Sequence, residues 1–214
     1  MTVVSKIASA GKKTIAVRIP KHKVARNLLS ILKFPLAAPS ANISSKLSPT
    51  SARDVFDEFG NKIKFIIDGG QSKIGLESTI IDLTGKPSIL RPGSITTKKI
   101  KKILRKKIIV KKYSKKIKSP GQFKLHYSPG IPVELNKNYA QKNQAFIGFG
   151  KKFKHKKNHF NLSKSGNLKE AANNLYKTMR KIKKKKFKSI AVAKIPNTEI
   201  GYAINDRLIK ASNK

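Results

Sequence analysis

Three short motifs between residues 34 and 93 constrain this 214-residue chain more than any other feature. They read FPLAAPSANIS at 34–44, GLESTIIDLTG at 75–85 and ILRPG at 89–93. Each motif places a turn of small residues beside an apolar run, and the turns carry hydroxyl, amide or guanidinium groups, which bind phosphates and carboxylates. We therefore predict that the three turns line one pocket for a nucleotide and an amino acid.

The spacing of apolar residues predicts an α/β fold in two units. In the first unit, strands are expected at 14–19, 36–38, 64–68, 78–83 and 88–91, and helices at 24–32, 48–60 and 97–107. Residues 84–86 are predicted to form a hairpin turn between the last two strands. The helix at 48–60 is predicted to be capped by Ser48 or Thr50 and to end at Gly60. In the second unit, strands are expected at 145–150 and 189–193, and helices at 168–182 and 204–211. The alternation of strand and helix in the second unit predicts a small parallel, Rossmann-like sheet.

A segment rich in lysine, serine, proline and glycine separates the two units. This composition is typical of a linker between domains. The predicted domains are therefore a ligand-binding α/β domain at 1–110, a linker or lid at 111–143 and a small α/β domain at 144–214. The chain is long enough to bury a core in both units.

The formal net charge of +39 favours a polyanionic partner such as RNA. Only seven of the 49 basic residues are arginine, however, and arginine is the usual choice for bidentate phosphate recognition. Two explanations of the lysine content therefore stay open. Either the lysines are enriched without a function, or they form a selected surface that binds tRNA. Six of the ten acidic residues lie between Asp54 and Asp82, so the motif region is nearly balanced in charge, unlike the basic flanks.

The sequence lacks the signatures of several protein classes. It contains no cysteine, which excludes disulfides and thiolate metal sites. His155 and His159 are separated by three residues, but we predict that both lie in an exposed loop, so a zinc site is not expected. It has no Walker loop, no G-x-G-x-x-G and no G-x-S-x-G nucleophile elbow. No stretch is apolar enough for a signal peptide or a membrane span, so we expect a cytoplasmic protein without a membrane partner.

Two of the turns have a structural explanation beside the functional one. The hydroxyl of Ser40 and the amide of Asn42 can bind a phosphate together, or they can satisfy their own turn, which spacing alone favours. In the next motif, Gly75 permits a turn that frees backbone amides, and the hydroxyl of Ser78 can bond a carboxylate. Between them, Glu77 is either buried against a cation or solvated.

Two arginines are further candidates for binding an anion. Arg91 ends a predicted strand, where its guanidinium can reach a phosphate, although an ordinary surface arginine fits the same position. Arg18 lies inside the apolar run AVRI, and a charge there needs a partner or a ligand. Together the signals favour small anionic ligands, and none of them indicates acid–base hydrolysis.

The same motifs carry a family resemblance. The chain contains, in order, VRIPKHKVARNLL, PLAAPSANIS, SPTSARDV, IIDGG, GLESTIIDLTG, ILRPGSI, PGQFKLHYSP and GYAINDRLIKA. It resembles the threonylcarbamoyl-AMP synthase family in its two-domain form, which has a YrdC-like domain and a small carboxy-terminal domain. The resemblance implies a nucleotidyltransferase that converts L-threonine, bicarbonate and ATP into L-threonylcarbamoyladenylate and pyrophosphate. That product is used in tRNA processing, to form threonylcarbamoyladenosine.

The resemblance also implies the roles of individual residues. It implies that L-threonine is bound by Arg18, Ala38 and Ser78, with the guanidinium pairing with the threonine carboxylate. It implies that ATP is bound by Thr14, Ser40, Asn42, Ser48, Arg91 and Tyr127. Tyr127 would come from a linker that folds over the pocket as a lid and keeps water from the labile carbamate. Catalysis would rest on positioning and on charge stabilisation at the α-phosphate, with Mg²⁺ and without a protein nucleophile.

The chain departs from the family pattern in one respect. The family's YrdC-like domain opens with a segment that contains a Lys-x-Arg motif for ATP, and this sequence has no Lys-x-Arg. We therefore expect a truncated synthase, from a misplaced start codon, a gene fragment or a split gene, that lacks strands and is inactive or only partly active alone. A separately encoded amino-terminal half would then be a partner. The alternative is a basic module that binds RNA without catalysis.

Overall fold

A computed structural model describes residues 4–110, 119, 121, 123–153 and 156–213. The helices in this part of the chain are α1 (Lys23–Ile31), α2 (Ala52–Phe59), α3 (Thr97–Leu104), α4 (Leu168–Lys184) and α5 (Gly201–Ser212). The strands are β1 (Ile80–Asp82), β2 (Ser88–Arg91), β3 (Ile109–Val110), β4 (Val133–Glu134), β5 (Gln144–Gly148), β6 (His159–Asn161) and β7 (Ser189–Val192). The strands form two separate sheets, and this combination of helices and sheets confirms the predicted α/β class.

The first sheet has the strand order β1-β2-β3. Strands β1 and β2 pair antiparallel on either side of residues 84–86, which confirms the predicted hairpin, and β3 adds in parallel to β2. Behind this sheet, Ile89, Ile100 and Ile108 form a small buried cluster. Helix α3 begins at Thr96, whose hydroxyl accepts a hydrogen bond from the amide of Lys99. The ILRPG motif therefore leads directly from a buried strand into a capped helix.

Helices α1 and α2 confirm the helices predicted in the first unit, with one change at the start of α2. The cap is Ser51, whose hydroxyl accepts from the amide of Asp54 at 3.1 Å, and not Ser48 or Thr50. The Asp54 carboxylate in turn accepts from the amide of Thr50 at 2.7 Å, an arrangement that stabilises a helix start. Gly60 ends the helix with φ of 52°, as predicted.

Three strands that the sequence predicts in the first unit do not form. Residues 14–19, 36–38 and 64–68 belong to no strand, and apolar side chains within them are exposed, with Ile19 93% and Phe65 86% accessible. Alternation of apolar residues is a local property, whereas a strand needs hydrogen bonds to a neighbouring strand. Among the described residues these three segments have no such neighbour, so this part of the prediction is wrong.

The second sheet has the order β4-β7-β5-β6, and all of its described pairs are parallel. This confirms the predicted parallel unit. Its central strands β5 and β7 are almost entirely buried, and helices α4 and α5 cover the main core. Strand β4 lies within the predicted linker. Strand β6 includes His159, so its predicted place in an exposed loop is wrong, and His155 lies outside the described residues. The periodicity of a two- or three-residue strand is too short to be recognised in sequence.

Helix α4 contacts the first unit as well as its own sheet. One face packs into the core through side chains that include Ala172, Leu175 and Met179. Two partly buried side chains beside that face donate to backbone carbonyls of the first unit. The amide of Asn173 bonds the carbonyl of Ser72 at 2.9 Å, and the guanidinium of Arg180 bonds that of Leu47 at 2.6 Å. Helix α4 therefore contacts the first unit through hydrogen bonds to backbone carbonyls of that unit, and not through apolar packing alone.

The predicted linker is described only in part, because residues 111–118, 120 and 122 lie outside the described residues. Its segment 126–128 touches both units. The amide of Ser128 donates to the carbonyl of Ser45 at 2.8 Å, and the amide of His126 donates to that of Lys210 at 3.3 Å. The domain limits at 110 and 143 stay a prediction. None of the helices in the described part of the chain is both long enough and apolar enough to span a membrane.

Candidate functional site

Ser78 is the point where three of the predicted site residues meet. The guanidinium of Arg18 donates to the Ser78 hydroxyl at 3.4 Å, and Nε of Arg91 donates to the Ser78 carbonyl at 2.9 Å. Arg18 is 60 residues away in sequence and Arg91 is 13 away. Two guanidinium groups at one serine concentrate positive charge and planar N–H donors, which suits a carboxylate or a phosphate. We call Arg18, Ser78 and Arg91 the anion cluster.

Close backbone packing positions the loop that carries Ser78. Gly75 has φ of 76°, and a Cβ at this position would lie 2.6 Å from Cα of Asn173 and 2.7 Å from the carbonyl oxygen of Ala172, both in α4. A Cβ at Gly93 would overlap the backbone at Thr79. Only glycine permits both approaches. The two glycines of the GLEST and ILRPG motifs therefore bring the loop against α4 and against the end of β2.

Glu77, the residue before Ser78, has a side chain that is only 15% accessible and whose carboxylate accepts several hydrogen bonds. The Glu77 carboxylate accepts hydrogen bonds from the Ser48 hydroxyl, from the Tyr176 hydroxyl at 3.1 Å and from Nε of Arg207 at 2.8 Å. Burial acts to raise the pKa of Glu77, but the charge of Arg207 and the hydrogen bonds from Ser48 and Arg207 outweigh it, so the pKa lies below its ordinary value. Of the two readings left open for Glu77, burial against a cation is correct.

Arg207 forms the centre of this buried network. Its side chain is completely inaccessible, and it also donates to the Asp206 carboxylate at 2.6 Å. Its guanidinium lies over the ring of Tyr127, 5.1 Å from the centroid, and that ring stacks on Tyr176. The first of these contacts places an aromatic face against the cation. Lys210 completes the charge balance with an ion pair to Asp206 at 2.7 Å.

Tyr127 is buried in this network, with only 1% of its surface accessible. It has φ of 60°, and within the described residues its hydroxyl has no hydrogen-bond partner. Burial raises the pKa of Tyr127 to about 12. A Cβ built on Gly121 would lie 2.7 Å from the Tyr127 hydroxyl and 2.9 Å from Cδ of Arg91. Tyr127 and the anion cluster therefore border the same glycine.

His126, beside Tyr127, is half-buried, and burial is the main reason why its pKa lies below the ordinary value. The amide of Tyr127 donates to Nδ1 of His126 at 3.0 Å. This bond requires an unprotonated Nδ1, which agrees with the direction of the pKa shift. A neutral imidazole next to the network adds no further positive charge to it.

None of the remaining predicted residues shares a described side-chain hydrogen bond with the anion cluster. The Asn42 amide donates to the carbonyls of Ile43 and Lys46, so it stabilises its own turn. Ser48 is bonded to Glu77 and therefore adjoins the cluster. Thr14, Ala38 and Ser40 are exposed, and no described side-chain hydrogen bond joins Thr14 or Ser40 to the cluster. Their roles in ligand binding stay a prediction.

Two cavities lie near the interface of the units, and residues outside the anion cluster line both of them. One of about 360 Å³ lies between the start of α2 and α4, and its lining includes Asp54 and Arg180. One of about 840 Å³ lies at the start of α3, and its lining includes Thr96 and Ile200. Neither lining includes Arg18, Ser78 or Arg91. The contacts among these three residues, rather than either cavity, therefore define the candidate site.

The sequence reading missed Arg207 and Tyr176 as members of the site. A signal for Arg207 was present, because it lies on the same face of α5 as Ile204, Leu208 and Ala211, all of which are buried. A cation on an apolar helix face indicates a buried partner. Tyr176 gave no comparable signal, since a tyrosine among apolar residues is common in an ordinary core.

Comparison with known proteins gives consistent matches along the chain. The family model described as "Telomere recombination" matches residues 1–93, and the model described as "Threonylcarbamoyl-AMP synthase, C-terminal domain" matches residues 95–213. The threonylcarbamoyl-AMP synthase of Pyrococcus abyssi is 36% identical over 98% of this chain and 67% of its own length. That of Bacillus subtilis is 32% identical over 95% of this chain and 64% of its own length.

A solved structure agrees with these sequence matches. The crystal structure of P. abyssi Sua5 complexed with L-threonine superimposes with a TM-score of 0.88 and 33% identity, and the match covers 99% of this chain and 68% of that one. The chain thus spans about two thirds of the length of these relatives, and 36% of the relative from Schizosaccharomyces pombe. Both halves match in the expected order, and the chain belongs to the threonylcarbamoyl-AMP synthase family.

Proposed function

We propose that this chain carries the L-threonine and ATP subsites of an enzyme that forms L-threonylcarbamoyladenylate and pyrophosphate from L-threonine, bicarbonate and ATP, and that the chain alone is inactive or only partly active. The main support is the anion cluster, found in a chain whose structural relative was crystallised with L-threonine. The three substrates all carry negative charge in water, as carboxylate, bicarbonate or phosphate. A site that binds them needs several fixed cationic donors, and the anion cluster provides two.

Arg18 and Ser78, together with Ala38, form the proposed L-threonine subsite. A guanidinium binds a carboxylate through two parallel hydrogen bonds, and Arg18 uses one of its donors on the Ser78 hydroxyl. That hydroxyl accepts from Arg18 and can still donate its own proton to the same carboxylate. Ser78 would therefore orient both the arginine and the ligand.

Arg91 belongs to the proposed ATP subsite. It uses Nε on the Ser78 carbonyl, which leaves its terminal N–H groups for phosphate oxygens. Thr14 and Ser40 would offer exposed hydroxyls, and Tyr127 would border the nucleotide from the linker. Because Asn42 and Ser48 already have partners, we propose supporting roles for them, in shaping the turn and in holding Glu77.

The proposed reaction joins the three substrates in two steps. The amino group of L-threonine takes up bicarbonate with loss of water, which gives a carbamate. A carbamate oxygen then forms a bond to the α-phosphorus of ATP, and the electrons of the broken P–O bond leave with pyrophosphate. Arg18 and Arg91 would lower the barrier by holding two anions close together and in line.

Mg²⁺ is proposed only as the counter-ion of ATP. Among the described residues, no group of three or more His, Asp or Glu side chains is placed to hold a metal ion. This fits an ion that is bound mainly through substrate phosphates and water rather than by a protein cage. The residues of the chain would then bind and orient the nucleotide, and we assign them no step through the metal.

The linker segment would protect the carbamate from water. Its residues 126–128 bridge the two units, through Ser45 on one side and Lys210 on the other. A segment fastened on both sides of a site can exclude solvent while ligands are bound. We further propose that tRNA finally receives the threonylcarbamoyl group of the product, and that the protein acts in the cytoplasm. The separately encoded amino-terminal half stays a prediction.

Product formation by this chain tests the proposal. The protein is incubated with L-threonine, labelled bicarbonate and ATP, and the adenylate is identified by chromatography and mass spectrometry. Because the sequence has no Lys-x-Arg motif for ATP, we expect little or no threonine-dependent product from this chain alone, and L-threonine binding is therefore measured as well. In Arg18→Ala, L-threonine affinity should fall by about 10- to 100-fold, since a hydrogen bond to a charged group contributes roughly 1.5–3 kcal/mol. Arg26→Ala, which removes an exposed arginine in α1, serves as the control.

The opposite outcome would favour the alternative hypothesis, that the chain is a basic module that binds RNA without catalysis. In that case the chain would bind no L-threonine and form no adenylate. It would instead bind tRNA with an affinity that falls steeply with salt, as phosphate contacts by lysines require. The extreme net charge of +39 makes this measurement necessary, because some RNA binding is expected on charge alone.

A further inference from the structure

One ion pair joins the two units of the chain in the interior of the protein. Glu77 belongs to the loop of the first unit, Arg207 to helix α5 of the second, and 130 residues separate them. The Arg207 side chain is fully inaccessible, and that of Glu77 is only 15% accessible. Two buried charges are stable only when each compensates the other and further hydrogen bonds satisfy their remaining groups.

The second unit supplies most of the partners that Glu77 needs. Tyr176 and Arg207 both donate to its carboxylate, and Ser48 is the partner from the first unit. The Glu77 carboxylate would therefore lose two of these three partners, including the compensating charge of Arg207, if α4 and α5 were not docked. If the second unit moved away, a carboxylate and a guanidinium would both need to be solvated again.

The loop around Glu77 is attached to the second unit at two further points. The Gly75 backbone packs against the α4 backbone so closely that a Cβ would not fit. The Asn173 amide donates to the Ser72 carbonyl at 2.9 Å. Residues 72–77 are thus held by α4 and α5 along their length, and Ser78 is the next residue in the chain. Its position relative to Arg18 and Arg91 depends on these contacts.

We propose that Glu77 is a positioning residue, through which the second unit sets the geometry of the L-threonine subsite. The inference rests on the proposed function in one respect, namely that Ser78 binds the amino acid. Glu77 itself does not touch the ligand. Because coupling between two sites is reciprocal, docking of α5 strengthens ligand binding at Ser78, and the bound ligand strengthens docking of α5. The small second unit would thereby have a role in a site formed by the first.

Hydrogen exchange on the full chain tests the positioning without any ligand. The variants are Glu77→Gln, which keeps the size and polarity of the side chain, and Arg207→Gln. We expect faster amide exchange in residues 72–79 of both variants, with unchanged exchange in β5 and β7. Unchanged exchange in 72–79, or equal acceleration throughout the second unit, would overturn the proposal.

A matched control separates this pair from interdomain contacts in general. Lys184 in α4 pairs with Asp57 in α2 at 2.9 Å, but the lysine side chain is 72% accessible. Lys184→Gln therefore removes an ion pair between the same two units at the surface, where such pairs contribute little. We expect exchange in residues 72–79 to stay as in the wild type.

Titration with L-threonine tests the effect on the ligand. Glu77→Gln and Arg207→Gln should weaken binding by about tenfold, a usual size for coupling between sites, and Lys184→Gln should not. Arg207→Lys, which keeps the charge, should recover part of the loss. Equal affinity in all variants would refute the proposal. A wild-type chain that binds no L-threonine would refute the proposed function and the ligand part of this inference, while the exchange experiment would still decide whether Glu77 positions the loop.

Discussion

The two units of this chain bury their apolar side chains to very different extents. In the second unit, Ala145, Ile147 and Leu175 are fully inaccessible within a core formed by two helices and a parallel sheet. In the first unit, the buried cluster around Ile89 and Ile100 is small. Most of the exposed large apolar side chains of the described residues lie before residue 111. Both units nevertheless carry apolar periodicity of a similar kind.

This difference shows that apolar periodicity predicts which face of a segment can be buried, but not whether another element of the fold packs against that face. Each described strand of the second sheet has a parallel neighbour, whereas the predicted strands at 14–19 and 64–68 have none among the described residues. The unit with the smaller core carries the anion cluster. Its key loop is held by contacts from the unit with the larger core.

The largest expected effect comes from matched isoleucines in the two units. Ile147→Ala should lower the free energy of unfolding by about 2–5 kcal/mol, because it leaves a cavity in a fully buried site. Ile19→Ala removes a side chain that is 93% accessible and should change stability by no more than about 0.5 kcal/mol. Urea unfolding followed by circular dichroism measures both. Equal losses would show that the two units do not differ as described.

A second pair of variants tests the contact between the units at Gly75. Gly75→Ala and Gly70→Ala place alanine at almost the same φ, 76° and 77°. A Cβ at Gly75 would overlap the backbone of α4, whereas a Cβ at Gly70 would have no other heavy atom within 4 Å. Both should lose about 1 kcal/mol from the strained φ. Gly75→Ala should lose roughly 1–3 kcal/mol more, because α4 must shift. Thermal unfolding compares them, and equal losses would contradict the close approach.

The pH dependence of stability tests the buried pair directly. The pKa of Glu77 lies below its ordinary value of 4.5, so its ionised form contributes stability above that pH, and this contribution is lost as the pH falls through the lower folded pKa. Each unit of difference corresponds to about 1.4 kcal/mol. Between about pH 6 and 3, the free energy of unfolding should change less with pH in Glu77→Gln than in the wild type. Identical slopes would indicate that Glu77 does not titrate differently on folding.

The smallest effect is expected at Tyr127. Its hydroxyl has no hydrogen-bond partner among the described residues, so Tyr127→Phe should change stability at pH 7 by less than about 0.5 kcal/mol. Because burial raises its pKa from 10.0 to about 12, the wild type should lose stability between those pH values, as the unfolded phenol ionises first. The variant should lose less stability over this range, because only the contribution of Tyr176, whose pKa burial also raises, is left. A loss above about 1 kcal/mol at pH 7 would show that the hydroxyl has a partner.

Much of the fold could be predicted where the signals are local. Helix α2 ends at Gly60, the hairpin turns at 84–86, and the apolar stripe of α4 runs from Ala171 to Ile182, and each of these could be recognised within a few turns of the chain. Within the candidate site, Arg18, Ser78 and Arg91 were named as candidates from their motifs, and the structure brings these three together at Ser78. The turn at 39–42 does not join them, and the ligand-binding roles of all these residues stay a prediction.

The sequence alone determined the α/β class, the parallel second unit and the family, because these depend on periodicity and motif order along the chain. Only the tertiary structure decided that Glu77 pairs with Arg207, that Tyr127 is buried over the same guanidinium, and that the expected strands at 14–19 and 64–68 do not form. The physical reason is the range of the interactions. Side-chain spacing acts over a few residues, whereas ion pairs and strand pairing depend on groups that are distant in sequence and close only after folding.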